Sequence, residues 1–156
     1  MHIHLIAVGT RMPSWVTQGY EDYARRLPRE CTLRLVEIPS GRRSQAQPTA
    51  QAVEEEGRRI LAAMPERSLV VALDVGGSAW DTPALAGRLQ QWLLSGRDIV
   101  LLVGGPDGLS GDCLQRADLR WSLSALTLPH ALVRVVLAEQ LYRAWTIISS
   151  HPYHRS

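Results

Sequence analysis

An α/β fold, with a mostly parallel sheet and helices on both of its faces, is what this chain predicts, and three observations carry the prediction. Strand-like and helix-like segments alternate through all 156 residues without a repeat. Two short runs, residues 69–73 (LVVAL) and Ile99–Val103 (IVLLV), are apolar at every position, as strands covered on both faces are. The second of them ends abruptly in Gly104-Gly105-Pro106-Asp107-Gly108, and open α/β sheets present their ligand loops at such strand ends.

Each element has its own signal. His2–Val8 (HIHLIAV) has apolar residues at alternate positions and reads as a strand, with His2 and His4 in solvent along an edge. Residues 14–27 read as a helix, Ser14 serving as N-cap and Pro28 as the stop. Residues 31–38 (CTLRLVEI) alternate with period two, a strand with one solvated face. Residues 39–48 (PSGRRSQAQP) are the only linker-like segment, polar and basic. The helix after it carries Glu54 with Arg58, and Glu55 with Arg59, at the i,i+4 spacing of an exposed face. Residues 69–73 lead into Asp74 and a turn at Gly76-Gly77. Asp81 or Thr82 caps the next helix, Pro83 occupies its first turn and Gly96 ends it. Strand Ile99–Val103 and the glycine loop follow, then a short helix over 112–118, a strand over 120–123 and a last helix over 130–149. The order is βαβαβαβαβα, in a single domain over 1–156.

Composition narrows the function. Cys31 and Cys113 stand alone, with no neighbouring ligands, and read as buried small hydrophobes in a reducing compartment. The N-terminus has no basic region or cleavage site of a signal peptide, and no apolar run reaches the roughly 18 residues of a membrane span. A cytoplasmic protein is expected. All 17 basic residues are arginine, which excludes a lysine Schiff base or a P-loop lysine. The net charge of +2 is a weak pull towards an anionic partner.

The glycine loop matches neither G-x-G-x-x-G nor a P-loop, so a nicotinamide dinucleotide or a nucleoside triphosphate is not its expected ligand. A side chain at Gly105 is expected to intrude where backbone approaches ligand. Residues 121–130 (WSLSALTLPH) combine apolar side chains with small hydroxyls at a strand-to-loop transition. Its free backbone groups suit the edge of an adenine and its apolar side chains the faces, although an ordinary core strand reads the same way. The tail over 151–156 (HPYHRS) gathers His151, Tyr153, His154 and Arg155, residue types that stack on a base, move a proton and hold a phosphate. His130, at the start of the last helix, joins them or caps it. That helix is apolar over most of its girth, which points to a second buried face in a homodimer, through Leu137 and Ala138. Nothing in the sequence demands a metal.

GGPDG, LSALTLPH, AEQLYRAW and HPYHR together resemble the RlmH-type methyltransferases, small members of the SPOUT (α/β-knot) superfamily, and the likeness runs from IAVGTRMPSWV to the tail. The resemblance implies methyl transfer from S-adenosyl-L-methionine, leaving S-adenosyl-L-homocysteine. The acceptor it implies is N3 of a pseudouridine in 23S ribosomal RNA, within the assembled ribosome. It implies a homodimer, a C-terminal trefoil knot, and neither a DNA nor a membrane partner. Carried across, the cofactor pocket is Leu73, Gly104, Gly105, Leu123, Ser124, Ala125, Leu126, Thr127 and Leu128. His154 is then expected as base, Tyr153 to place the acceptor ring, and Arg155 and Arg143 to hold phosphates or the anion. His130 and His151 are the further substrate contacts. The alternatives are methylation of a tRNA or of a ribose hydroxyl, or a ribosome-associated module that binds a nucleotide without turnover.

Overall fold

The computed structural model describes residues 1–154. Five strands, β1 (His2–Val8), β2 (Thr32–Ile38), β3 (Leu69–Ala79), β4 (Ile99–Val103) and β5 (Leu119–Ser122), form one sheet in the order β2-β1-β4-β3-β5. Every pairing between them is parallel. Helices α1 (Ser14–Ala24), α2 (Thr49–Ala63), α3 (Thr82–Ser95), α4 (Gly111–Arg116) and α5 (His130–Ile148) make the connections, with a short 3₁₀ turn at Arg29–Cys31.

Side-chain alternation along the strands builds two cores. Ile3, Leu5, Val71, Ile99 and Leu101 pack with Tyr20, Leu85, Leu89, Leu137 and Leu141, so α1, α3 and α5 cover one face. Ile6, Val8, Val70, Val100 and Leu102 pack with Ile60 and Cys113 beneath α2 and α4 on the other. Both cysteines are free and buried, as their isolation in sequence suggests. No helix among the described residues is long and apolar enough to cross a membrane.

Most signals for element ends hold. The Asp81 carboxylate accepts from Ala84 N–H at 2.9 Å, Pro83 sits in the first turn of α3, and Gly96 closes it in the left-handed conformation (φ 69°). Four expectations are corrected. The first helix stops at Ala24, three residues short of 27, and its N-cap is Pro13 rather than Ser14, with no side-chain bond. His2 and His4 do not lie on an edge, because β1 is flanked by β2 and β4. His4 Nε2 instead sits 3.1 Å from Asp98 Oδ2, and His2 N–H donates to Asp98 Oδ1 at 3.1 Å. Burial opposes charge on Asp98, but these two neighbours outweigh it and hold the carboxyl below its usual range.

The fourth correction bears on the site. Gly76-Gly77 does not end β3 in a turn: Leu73 and Ser78 both face Trp121 of β5, so Asp74 to Gly77 bulge out between them before pairing resumes. A Cβ on Gly77 would come within 2.6 Å of the Arg120 carbonyl carbon, so glycine lets the returning strand close onto β5.

Candidate functional site

The C-terminal ends of β3, β4 and β5 open into one cavity of about 450 Å³. Asp74 and Val75 of the β3 bulge form one side, the loop from Gly104 to Leu109 a second, and Leu123, Ser124, Leu126, Thr127 and Leu128 after β5 a third. His130 and Val133, from the first turn of α5, complete the lining. Of the nine residues expected in a cofactor pocket, eight line this cavity; Ala125 is exposed and does not. The segment 123–129 is not a buried strand end, since Leu126 is 73% exposed.

The glycine loop is a tight turn. Gly108 N–H donates to Gly105 O at 3.0 Å, and Gly108 has φ +80°, which favours glycine. A Cβ on Gly104 would come 2.5 Å from the Gly108 carbonyl carbon. At Gly105 the direction is the reverse of the expected one: a Cβ would meet Val8 Cγ1 at 3.2 Å and Glu56 Oε1 at 3.7 Å, beneath the loop. The loop therefore rests on a platform from β1 and α2, and its other side lines the cavity.

Below the cavity lies a buried polar layer. Arg134, 1% exposed, donates to Glu37 Oε2 at 2.7 Å and to Gly9 O at 2.7 Å, tying the first turns of α5 to the ends of β1 and β2. His130 lies one helical turn earlier. Burial first, and the Arg134 guanidinium second, hold its imidazole below the usual range, while Glu56 works the other way. Glu56 is itself 1% exposed, and it accepts from Gly41 N–H at 2.8 Å and from Arg43 at 2.7 Å.

The tail, described to residue 154, lies at the other end of α5. His151 N–H donates to Thr146 O at 2.9 Å, and the Tyr153 ring packs on Tyr142 with centroids 4.6 Å apart. Arg143 sits over that ring at 5.1 Å and bonds Glu139. Tyr153 O–H donates to Glu139 Oε2 at 3.2 Å; burial, then the Glu139 charge, push the phenol up to about 12, so it stays a donor at neutral pH. Thr146 spends its hydroxyl proton on Arg143 O at 2.6 Å, so towards His154 Nδ1, 3.3 Å away, its oxygen can act only as acceptor. In a neutral ring that assignment puts the lone pair on His154 Nε2. Arg155 lies outside the described residues.

Thus the structure brings His130 to the cavity but not His151, Tyr153, His154 or Arg143. The 19 residues of α5 put about 28 Å between its two ends. Asp74, Asp107 and Arg134 escaped sequence reasoning. An aspartate before Gly-Gly or after Pro reads as turn chemistry, and a lone arginine on an apolar helix reads as surface.

A second cavity of about 340 Å³ opens nearby, lined by Trp80, Thr82, Trp121, Val136 and Gln140, and it shares Leu123 with the first. Trp80 stacks on Trp121 at 4.8 Å, and both indole N–H groups are buried without an acceptor. Among the described residues, no three His, Cys, Asp or Glu side chains are grouped to hold a metal.

A family model described as predicted SPOUT methyltransferase matches residues 1–154. The chain is 61% identical over 156 residues to the ribosomal RNA large subunit methyltransferase H of Alkalilimnicola ehrlichii, all of both chains being covered. It is 58% identical to the protein of that name from Methylococcus capsulatus, over 99% of this chain and 100% of the other. Among solved structures, a probable methylase family protein from Haemophilus influenzae Rd KW20 superposes with TM-score 0.54 at 12% identity, over 99% of this chain and 70% of that one. A putative methyltransferase from Legionella pneumophila, solved with its bound cofactor SAM, gives TM-score 0.50 at 10% identity, over 93% and 66%. At those identities the structural likeness speaks for the fold.

Proposed function

Because the chain belongs to the SPOUT methyltransferase family, we propose that it transfers a methyl group from S-adenosyl-L-methionine to N3 of a pseudouridine in 23S ribosomal RNA of the assembled ribosome. The relatives' names supply the class of RNA. The single observation that carries the chemistry is the cavity where three strand ends meet, with apolar walls and two carboxylates.

The residues fit the cofactor. A cavity of about 450 Å³ falls in the range of small-molecule sites. Leu73, Leu123, Leu128 and Val133 would take the faces of an adenine, and backbone groups of 123–128 its edge. Asp74 and Asp107 complement a ligand that carries two positive centres, a sulfonium and an ammonium. When bound, S-adenosyl-L-methionine supplies an electrophilic methyl and leaves as S-adenosyl-L-homocysteine. The turn at Gly104–Gly108 and the 123–129 segment align the acceptor with that methyl; such positioning is worth roughly 7–11 kcal/mol. A trefoil knot, with these two segments threaded past one another, is part of the same reading.

The acceptor nitrogen carries a proton that must leave. His154 Nε2 takes it, Tyr153 orients the ring as a donor, and Arg143 and Arg155 steady the anion and nearby phosphates. His130 and His151 contact the acceptor from the cavity and tail sides. About 28 Å of helix separates the tail from the cavity in one chain, so the tail that serves a cavity comes from a second copy. The homodimer reading draws support from Trp15 on α1, a large apolar side chain 58% exposed in the single chain.

Turnover of tritiated cofactor, with the product nucleotide mapped by mass spectrometry, tests the proposal. A net charge of +2 is too small for tight binding to naked RNA at physiological salt, so ribosomes are expected to be methylated much faster than stripped rRNA. Label on a tRNA or a ribose oxygen would overturn the acceptor, and absence of turnover would overturn the enzyme.

A further inference from the structure

The linker-like segment 39–48 is built into the protein: Arg59 holds the Pro39 and Ser40 carbonyls, and Arg43 ties the segment to the cavity. Gly41 is buried against α2, where any Cβ would collide with the Ala52 carbonyl, and its N–H donates to Glu56 Oε2 at 2.8 Å. The chain then turns outward, and Arg43 folds back over it, donating to Gly41 O at 3.2 Å. One edge of the guanidinium holds Glu56, at 2.7 Å to Oε2 and 3.4 Å to Oε1. Its Nε donates to Asp107 Oδ2 at 2.9 Å. Asp107 lines the cavity, and Glu56 backs onto Gly105 from below.

We infer that Arg43 is a positioning residue for the cofactor loop, clamping Asp107 at the tip of the Gly104–Gly108 turn to the buried Glu56 of α2. The inference rests on the reading of the cavity as the S-adenosyl-L-methionine site. The turn has one internal hydrogen bond, from Gly108 to Gly105, and no other side chain among the described residues holds its tip. The buried carboxylate fixes the guanidinium, and the planar fork passes that order to the loop. A lysine, with one charged point and no fork, serves the two carboxylates less well. Arg43 therefore joins a basic surface segment to the wall of the cavity.

Two measurements on the full-length protein decide this. Hydrogen exchange without ligand reads the loop directly: Arg43→Gln and Asp107→Asn are each expected to speed exchange at the Gly108 amide about tenfold, and their combination no more than either alone. Calorimetric titration with S-adenosyl-L-methionine is expected to show Arg43→Gln weakening affinity about 5- to 20-fold and Arg43→Lys recovering part of the loss. Asp107→Asn should weaken it further because a carboxylate facing the ligand is also lost, the double variant binding no worse than Asp107→Asn alone. Arg43→Gln also strands a buried carboxylate and lowers Tm by several degrees. Arg43→Gln/Glu56→Gln removes that charge, so Tm is expected to return while exchange stays fast, because Asp107 is still unheld. Wild-type exchange at Gly108 in the single variants overturns the inference whether or not the cofactor binds. A wild-type protein that fails to bind S-adenosyl-L-methionine overturns the cofactor reading instead, and additive effects of Arg43→Gln and Asp107→Asn overturn the clamp.

Discussion

His130 and His154 stand at opposite ends of α5, and their surroundings give them different work. The imidazole of His130 is held below its usual range by burial and by Arg134. Its folded form therefore resists protonation, whereas in the unfolded chain it takes up a proton near 6.5. The stability that goes with the neutral ring is fully present above that value and is lost as pH falls through the folded pKa. Melting curves from pH 8 to 5 should show wild type losing stability faster than His130→Gln below about 6.5; parallel curves would refute the assignment. His154→Ala should leave S-adenosyl-L-methionine affinity within a few-fold while lowering methyl transfer about 10²–10⁴-fold, the usual cost of a lost general base. Gly104→Ala should act on binding instead, because its methyl meets the Gly108 backbone at 2.5 Å and the turn must open. Titration with the cofactor would separate the two. The glycines and both histidines could be read from sequence as motif residues. The buried layer could not, because Arg134 gains its partners only when the ends of β1 and β2 lie side by side.

At the scale of elements, local chemistry announced what local chemistry decides. Asp81, Pro83 and Gly96 set the bounds of α3, and the apolar run of Ile99–Val103 set a fully buried strand. The β3 bulge was not legible, because its cause is the close approach of Gly77 to the Arg120 backbone, a contact between strands 43 residues apart in sequence. Helix α5 misled for a related reason. Its apolar girth reads as a dimer face, yet Leu137 and Ala138 are fully buried in the chain's own core, against α1 and α3. A charge at Leu137 should therefore unfold the protomer rather than split a dimer, as the cost of a buried unpaired charge requires. One exposed apolar shoulder lies beside α5: Trp15 is on α1, one turn from Gly19, whose surface meets Val135 of α5. Trp15→Glu is expected to keep the native circular dichroism and give a monomer on sedimentation. A variant that still sediments as a dimer would move the interface off this shoulder.

The whole molecule poses the question that neither residue nor element answers, which is how a tail and a cavity at opposite ends of a helix would make the one site proposed for them. Within a chain they cannot meet without dismantling the packing of Tyr153 on Tyr142 and of His151 on Thr146. In the proposed two-fold dimer each tail would serve the partner's cavity with its own packing intact, and every site would be built from two chains. Mixing two inactive proteins tests that arrangement. Gly104→Ala spoils the cavity but keeps the tail; a chain lacking 151–156 keeps the cavity but has no tail. If the tail serves its own chain, no mixture of the two contains a complete site. If it serves the partner, a mixed dimer contains one: the cavity of the truncated chain with the tail of the other. Equal amounts exchanged to equilibrium make about half of all dimers mixed, each with one working site of two, so activity should recover to about one quarter of wild type. The same mixture assayed before subunits exchange should be inactive, which ties the recovery to assembly and not to residual activity of either parent. Recovery that fails after exchange has been verified by mass spectrometry would place the tail's chemistry in its own chain and require the end of α5 to unwind towards the cavity.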